Sequence, residues 1–307
     1  MKDTLLEWAG RRGYQVAWGP TSVFERARGD LKRRERNGEI DATFARANLS
    51  FDVDGVCGED WRVLVVVVPR PAHLVGFVAN GVRIDAVLPP TYERYRATFE
   101  DVRRDLSEHA FPGCRLTTIN APLKTLASLL GLVRYGRNNL TYAPAIGSYL
   151  QLLGYVTDAP LPVEPDWTPR EPVLCDECAT CGICAALCPT DAIGQDRILL
   201  RAERCLTLAN ETPGAWPSHV SPEAHHCLIG CLLCQRDCPV NPELPIVRSG
   251  VVFTAAETQA LMAGGDHACP AWAGIRAKLE ALGQPYQEDV LGRNLRALVA
   301  PRRRTCG

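Results

Sequence analysis

The 307-residue sequence has no apolar run long enough to cross a bilayer. Its clearest one, Val63 to Pro69, has the length of a buried strand, so no membrane span is expected. Neither sign of charge is in excess. The 34 Lys and Arg stand against 35 Asp and Glu, and no overall field draws the protein to nucleic acid or to an acidic membrane. The short basic runs Lys32-Arg33-Arg34 and Arg302-Arg303-Arg304 read as solvated surface. No G-x-G-x-x-G follows a predicted strand and no G-x-x-x-x-G-K-[ST] occurs, which argues against dinucleotide and nucleoside-triphosphate chemistry. The opening Met1-Lys-Asp-Thr-Leu-Leu-Glu-Trp holds neither an apolar signal core nor a small-residue cleavage site, so a cytoplasmic protein is expected. In that reducing compartment 14 cysteines point to metal ligation rather than disulfides.

Ten of those cysteines fall between residues 175 and 238, and eight of them build two motifs with one addition. Cys178, Cys181, Cys184 and Cys188-Pro189 form C-x2-C-x2-C-x3-C-P, the ligand run of bacterial two-cluster ferredoxins. Cys231, Cys234 and Cys238-Pro239 repeat its second half. Two-residue gaps wrap the backbone around one cubane, the three-residue gap sends the fourth thiolate to the other, and proline stops the turn from continuing as helix. One [4Fe-4S] cluster is therefore assigned to Cys178, Cys181, Cys184 and Cys238, the other to Cys188, Cys231, Cys234 and one further thiolate, Cys205 or Cys227. A pair of tetrahedral zinc sites is the competing reading of C-x2-C, but the prolines and the number of thiols favour clusters. Cys175 stands as a spare, because only the later register ends in x3-Cys-Pro. Cys57, Cys114, Cys269 and Cys306 are isolated and read as buried or free thiols. His225 and His226, beside Cys227, read as surface residues or as neighbours of the ligands.

Around the motifs the chain reads as an α/β sandwich domain over 1–158, a Pro-rich linker over 159–173, a ferredoxin-like two-cluster module over 174–248 and a helical C-terminal segment over 249–307. Residues 1–48 read as helices, with Leu5, Leu6 and Ala9 as the first apolar stripe. A buried central strand follows at Trp61–Val68. Asn80-Gly81 predicts a hairpin joining Leu74–Ala79 to Val82–Leu88. Thr91 predicts the cap of a helix to about His109. A strand at Cys114–Ile119, a helix from Pro122 through Leu132 and a strand at Tyr149–Val156 complete the domain.

The block from Pro122 to Leu140, with Gly136-Arg137-Asn138, then Gly147-Ser148, Thr157-Asp158 and the two cluster motifs, resembles epoxyqueuosine reductases and reductive dehalogenases over roughly residues 115–245. The likeness of Arg204-Cys205-Leu206-Thr207 to the segment between their motifs selects Cys205 as the eighth ligand. The resemblance implies a nitroreductase-like α/β domain holding a corrinoid (cobalamin), fed with electrons by the cluster module, with Tyr135, Gly136, Arg137, Asn138, Tyr142, Gly147 and Ser148 near that cofactor. A ferredoxin or flavodoxin is expected as electron donor, and a small-molecule substrate or a corrinoid protein as client. The sequence departs from the family pattern where it has no carboxylate, at Thr117-Thr118-Ile119-Asn120-Ala121 before Pro122. It also lacks extended C-terminal helical repeats and a basic face, so tRNA is not expected as a partner. A proton donor is sought instead among Tyr135, Tyr142 and Tyr92, on the premise that a guanidinium such as Arg137 stabilises the phenolate. Two other roles remain open at this point: an electron-transfer or reductive-activation protein without its own substrate, and a flavin-dependent variant.

Overall fold

The computed structural model describes residues 1–53, 58, 60–194, 200–264, 268–284 and 288–300; Cys57, Cys306 and the basic run at 302–304 lie outside the described residues. The chain opens with α1 (Lys2–Arg12), β1 (Gln15–Pro20), α2 (Val23–Arg36) and α3 (Ala42–Asn48). Then come β2 (Arg62–Pro69), β3 (Ala72–Ala79), β4 (Val82–Leu88), α4 (Tyr95–His109), β5 (Leu116–Thr118), α5 (Leu123–Leu129), β6 (Arg134–Tyr135), β7 (Thr141–Tyr142) and β8 (Leu150–Thr157). The cluster region carries only short helices, α6 (Ile183–Ala186), α7 (Leu206–Glu211) and α8 (Leu233–Arg236), before β9 (Ile246–Phe253), α9 (Ala255–Ala263), α10 (Ala271–Ala281) and α11 (Glu288–Val299).

The main sheet runs β1-β2-β8-β5, and each of its pairings is antiparallel. Strand β2 feeds two cores because its side chains alternate. Val63, Val65 and Val67 pack with Phe24 of α2 and Leu126 and Leu129 of α5. Leu64, Val66 and Val68 pack with Leu5 and Trp8 of α1 and Leu106 of α4. The continuous apolar run is thus what a strand covered by helices on both faces requires. The segment 159–173 lies on this unit: Trp18 Nε1 donates to the Pro162 carbonyl at 2.9 Å, Arg170 N–H to the Leu129 carbonyl at 2.8 Å, and Trp167 packs into the first core.

A second sheet, β4-β3-β9, joins the predicted hairpin to a strand beyond the clusters, with β3 and β9 parallel. Helices α9, α10 and α11 cover it, burying Phe77, Phe253, Trp272 and Leu295 in a third core. The last helices are therefore packed against residues 72–88.

Three expectations are corrected. The first 48 residues are not all helical, since β1 pairs with β2 at the sheet edge, Gln15 opposite Val67 through Pro20 opposite Arg62. Leu6 is exposed, so the buried stripe of α1 is Leu5, Trp8 and Ala9. Thr91 does not cap α4. Thr91 (φ 79°) and Arg94 (φ 48°) are left-handed, and the Arg94 N–H donates to the Leu282 carbonyl at 3.1 Å, so tertiary contacts hold this stretch off the helix until Tyr95.

Candidate metal centre

Thiols gather at the ends of short turns. Cys178 lies in a 3-10 turn over Asp176–Ala179, Cys181 and Cys184 flank the start of α6, and Cys238 follows α8. These four, with Ile183, Pro239 and Val240, line one small hollow. Cys175 is buried nearby but does not line it; its N–H donates to the Tyr135 carbonyl at 2.8 Å.

The second group is recognised by its electrostatics. Burial raises the Cys205 thiol pKa, and Cys188 raises it further. Cys231 is pushed up to about 12 by burial, with Cys205 and Cys188 adding to it. Burial raises Cys234 well above its ordinary value, and Cys231, Cys205 and Cys188 are among the thiols that reinforce the effect. Cys188 Sγ accepts the Ala192 N–H at 3.3 Å. Cys227 is also raised by burial, but among these thiols Cys231 is the neighbour that acts on it. Both donor sets fit cubanes: thiols arranged about a hollow or about one another, with N–H and O–H groups aimed at sulfur. Iron would displace the protons that burial keeps on these thiols.

Several of the residues that the resemblance places near a corrinoid contact the cysteine-bearing segments. Arg137 Nη2 donates to the Cys178 carbonyl at 2.7 Å. Asn138 Nδ2 reaches both the Tyr142 hydroxyl and the Cys234 carbonyl at 2.9 Å. The Tyr142 hydroxyl in turn donates to Cys238 Sγ at 3.3 Å. Ser148 N–H donates to Asn241 Oδ1 at 2.7 Å. A Cβ on Gly136 would stand 2.4 Å from the Tyr142 ring, and one on Gly147 (φ 68°) 2.4 Å from Asn241 Oδ1. Close approach does require glycine at both places, but the partner is protein. In this structure several of their polar groups are engaged across the seam with the cluster module.

The premise for a tyrosine proton donor fails for the same reason. Burial raises the pKa of Tyr92, Tyr135 and Tyr142, and the Tyr135 hydroxyl lies 3.5 Å from Thr125 Oγ1. The Tyr92 hydroxyl is hydrogen-bonded to the Glu211 carboxylate. His225 is not a surface residue: it is 1% exposed, its ring lies tilted against Trp216 at 5.3 Å between centroids, and its pKa is lowered to about 3 by burial, with His226 and Arg293 adding to it. His226 Nε2 accepts the Leu232 N–H at 3.1 Å, next to Cys231. Asn241, Gln235 and Glu211 escaped sequence reasoning. Only Asn241, three residues past Cys238, carried a positional hint.

Residues 177–241 match the family model of the 4Fe-4S double cluster binding domain, so the middle of the chain is a domain for two [4Fe-4S] clusters. In sequence the chain is similar to the epoxyqueuosine reductase of Staphylococcus aureus (strain NCTC 8325 / PS 47), 32% identical over 119 residues, covering 38% of this chain and 29% of that protein. It is also similar to that of Pseudomonas aeruginosa, 35% identical over 133 residues, covering 42% of this chain and 35% of that protein. These alignments span about a third of the relatives' own length. In fold it matches epoxyqueuosine reductase from Streptococcus thermophilus, with a TM-score of 0.64 at 15% identity, over 97% of this chain and 80% of that one. A further solved epoxyqueuosine reductase, bound to an epoxyqueuosine-modified tRNA stem loop, matches with a TM-score of 0.63 at 19% identity over the same shares. The mixed α/β fold with a cluster-binding region is that of these structures.

Proposed function

We propose that the protein is an iron–sulfur reductase that passes single electrons through two [4Fe-4S] clusters to an acceptor held against its α/β unit. One observation carries this reading: a single stretch of that unit, Arg137 to Tyr142, contacts the ligand-bearing segments of both clusters, at the Cys178 and Cys234 carbonyls and at Cys238 Sγ. In this reading Cys178, Cys181, Cys184 and Cys238 hold the first cluster, and Cys188, Cys205, Cys231 and Cys234 the second. Each cluster, when bound, supplies reversible one-electron chemistry. Arg137, Asn138 and Tyr142 fix the segments, exclude water and donate to a ligand sulfur, which sets potential. We read residues 1–158 as a nitroreductase-like unit, 159–173 as the strap lying on it and 174–248 as the cluster module, with a ferredoxin or flavodoxin as donor in the cytoplasm. Among the described residues no helix is long and apolar enough to cross a membrane.

The similarity to epoxyqueuosine reductases brings a modified tRNA base back as a substrate candidate, against the expectation from charge. A second reading, an electron-transfer or reductive-activation protein without its own substrate, is favoured by the missing carboxylate before Pro122 and by the commitment of the expected cofactor residues to the seam. One experiment separates the two. Anaerobic reconstitution with iron, sulfide and cobalamin should retain about eight iron, as two cubanes require, and no stoichiometric cobalt. Turnover of an epoxyqueuosine-modified stem loop under dithionite would support the first reading. Eight iron without turnover would favour the second, iron below that would sink both, and retained cobalt would overturn the view that this chain has no corrinoid site.

A further inference from the structure

Cys175 is left over when the first cluster takes its ligands from the central run. It extends that run backwards at the same pitch, because Cys175, Cys178, Cys181 and Cys184 follow one another with two residues in each gap. It is the N-cap of the 3-10 turn Asp176–Ala179, in which Cys178 lies, and the Cys178 N–H donates to its carbonyl at 2.9 Å. Such a turn has about three residues per turn, so positions i and i+3 stand over one another. Cys175 is 4% exposed and in no disulfide. With Tyr142 and Cys178 it forms one buried cluster of side chains, and Cys238 and Val240 pack against that cluster. Tyr142, Cys178, Cys238 and Val240 are themselves wall of the first hollow. The extra thiol therefore stands behind that wall, with the assigned ligands Cys178 and Cys238 as neighbours. The backbone around the pair is pinned. Cys175 N–H donates to the Tyr135 carbonyl at 2.8 Å, the Tyr135 N–H donates to the Val173 carbonyl at 2.9 Å, and Arg137 holds the Cys178 carbonyl. What remains free is rotation about each Cα–Cβ bond, between staggered wells.

We propose that Cys175 is a reserve ligand of the first cluster, its sulfur taking the iron that Cys178 releases. The proposal rests on the iron–sulfur reductase reading. Cys178 lines the hollow and is the resting ligand; Cys175 serves when Cys178 lets go of iron or is lost to oxidation or alkylation. In the exchange Cys178 Sγ gives up its bond to iron and Cys175 Sγ forms one, and the proton of the Cys175 thiol passes to the departing Cys178 thiolate. No electron moves, so neither an oxidant nor a reductant is required. Cys175, Cys181, Cys184 and Cys238 then hold the cluster, which is the same cysteine run read one step earlier.

The test is anaerobic reconstitution of the full chain and its variants with iron and sulfide, read by iron content and by EPR after dithionite. Wild type and Cys175→Ala should each hold about eight iron, as two cubanes require. Cys178→Ala should also hold about eight, with the EPR signal of the first cluster shifted and that of the second unchanged. The double variant Cys175→Ala/Cys178→Ala should fall to about four. Its remaining signal should be that of the second cluster, which shows that the chain still folds around it. A second readout follows the native ligand set: under an iron chelator, the first cluster should be lost severalfold faster from Cys175→Ala than from wild type. About four iron or less in Cys178→Ala, about eight in the double variant, or equal rates of loss to the chelator would overturn the proposal. If wild type holds about eight iron while Cys178→Ala holds about four, the reserve ligand alone is sunk. Failure of wild type to hold two clusters would sink the reductase reading, and the reserve ligand with it.

Discussion

The two clusters sit in different surroundings. The first is bordered by an apolar residue that reaches solvent, Ile183 at 42% exposure, and on its inner side it is held by Arg137, Asn138 and Tyr142. The second is walled by packed side chains. Leu206, Val220 and Trp216 pack beside Cys231, Asn210 donates to the Gly230 carbonyl at 2.7 Å, and Tyr92 closes over Gly230 onto Glu211, whose carboxyl burial pushes up. On the proposed reading the difference would give the pair a direction: an apolar, accessible rim suits transient docking of an electron donor, and a thiol set walled in by packed side chains suits delivery.

The sharpest break in that contrast is loss of one cluster. Cys181→Ala should remove the first and leave about four iron of eight, and Cys205→Ala should do the same for the second. Cys227→Ala should leave the iron content unchanged; a drop there would move the eighth ligand to Cys227. Acid should act next, and through the second surround. His225 is held neutral to about 3, below the value of 6.5 it has when unfolded. Its contribution to stability is therefore complete above about pH 6.5 and is lost as pH falls toward 3. The linkage slope is at most about 1.4 kcal/mol per pH unit. Denaturant midpoints should fall on that limb, and less so in His225→Phe. Gly136→Ala acts on the first surround, where the new methyl meets the Tyr142 ring and Asn138 Oδ1. Overpacking of this kind costs about 1–3 kcal/mol, and iron release on mild heating should begin at the first cluster. The smallest effect is expected from Tyr142→Phe, which removes one O–H donor from Cys238. It should lower the potential of the first cluster while iron content and the second potential stay the same.

Local signals were readable in the chain and distant ones were not. Several ligands of each cluster come from one short spaced run, so Cys178 to Cys188 and Cys231 to Cys238 announced themselves. Asn80-Gly81 announced its hairpin because the turn needs φ > 0, and both residues have it. Strand β1 was missed because Gln15-Val-Ala-Trp-Gly-Pro20 is short and ends in proline, as an edge strand can. Strand β9 was missed because Gly250 (φ 76°) interrupts it and the pairing with β3 shifts register there. Gly136, Asn138 and Tyr142 were singled out as neighbours of a cofactor, but the partners of Asn138 and Tyr142 in the cluster region lie 96 residues away, which no local pattern encodes.

The parallel pairing of β3 with β9 also sets a timetable. The hairpin leaves the ribosome about 160 residues before the strand that completes its sheet, which at roughly 5–20 residues per second is a delay on the order of ten to thirty seconds. Throughout that interval β3 presents an unpaired edge. Every cysteine of both clusters is synthesised within it. The full set of cluster thiols is therefore in place before the second sheet can close.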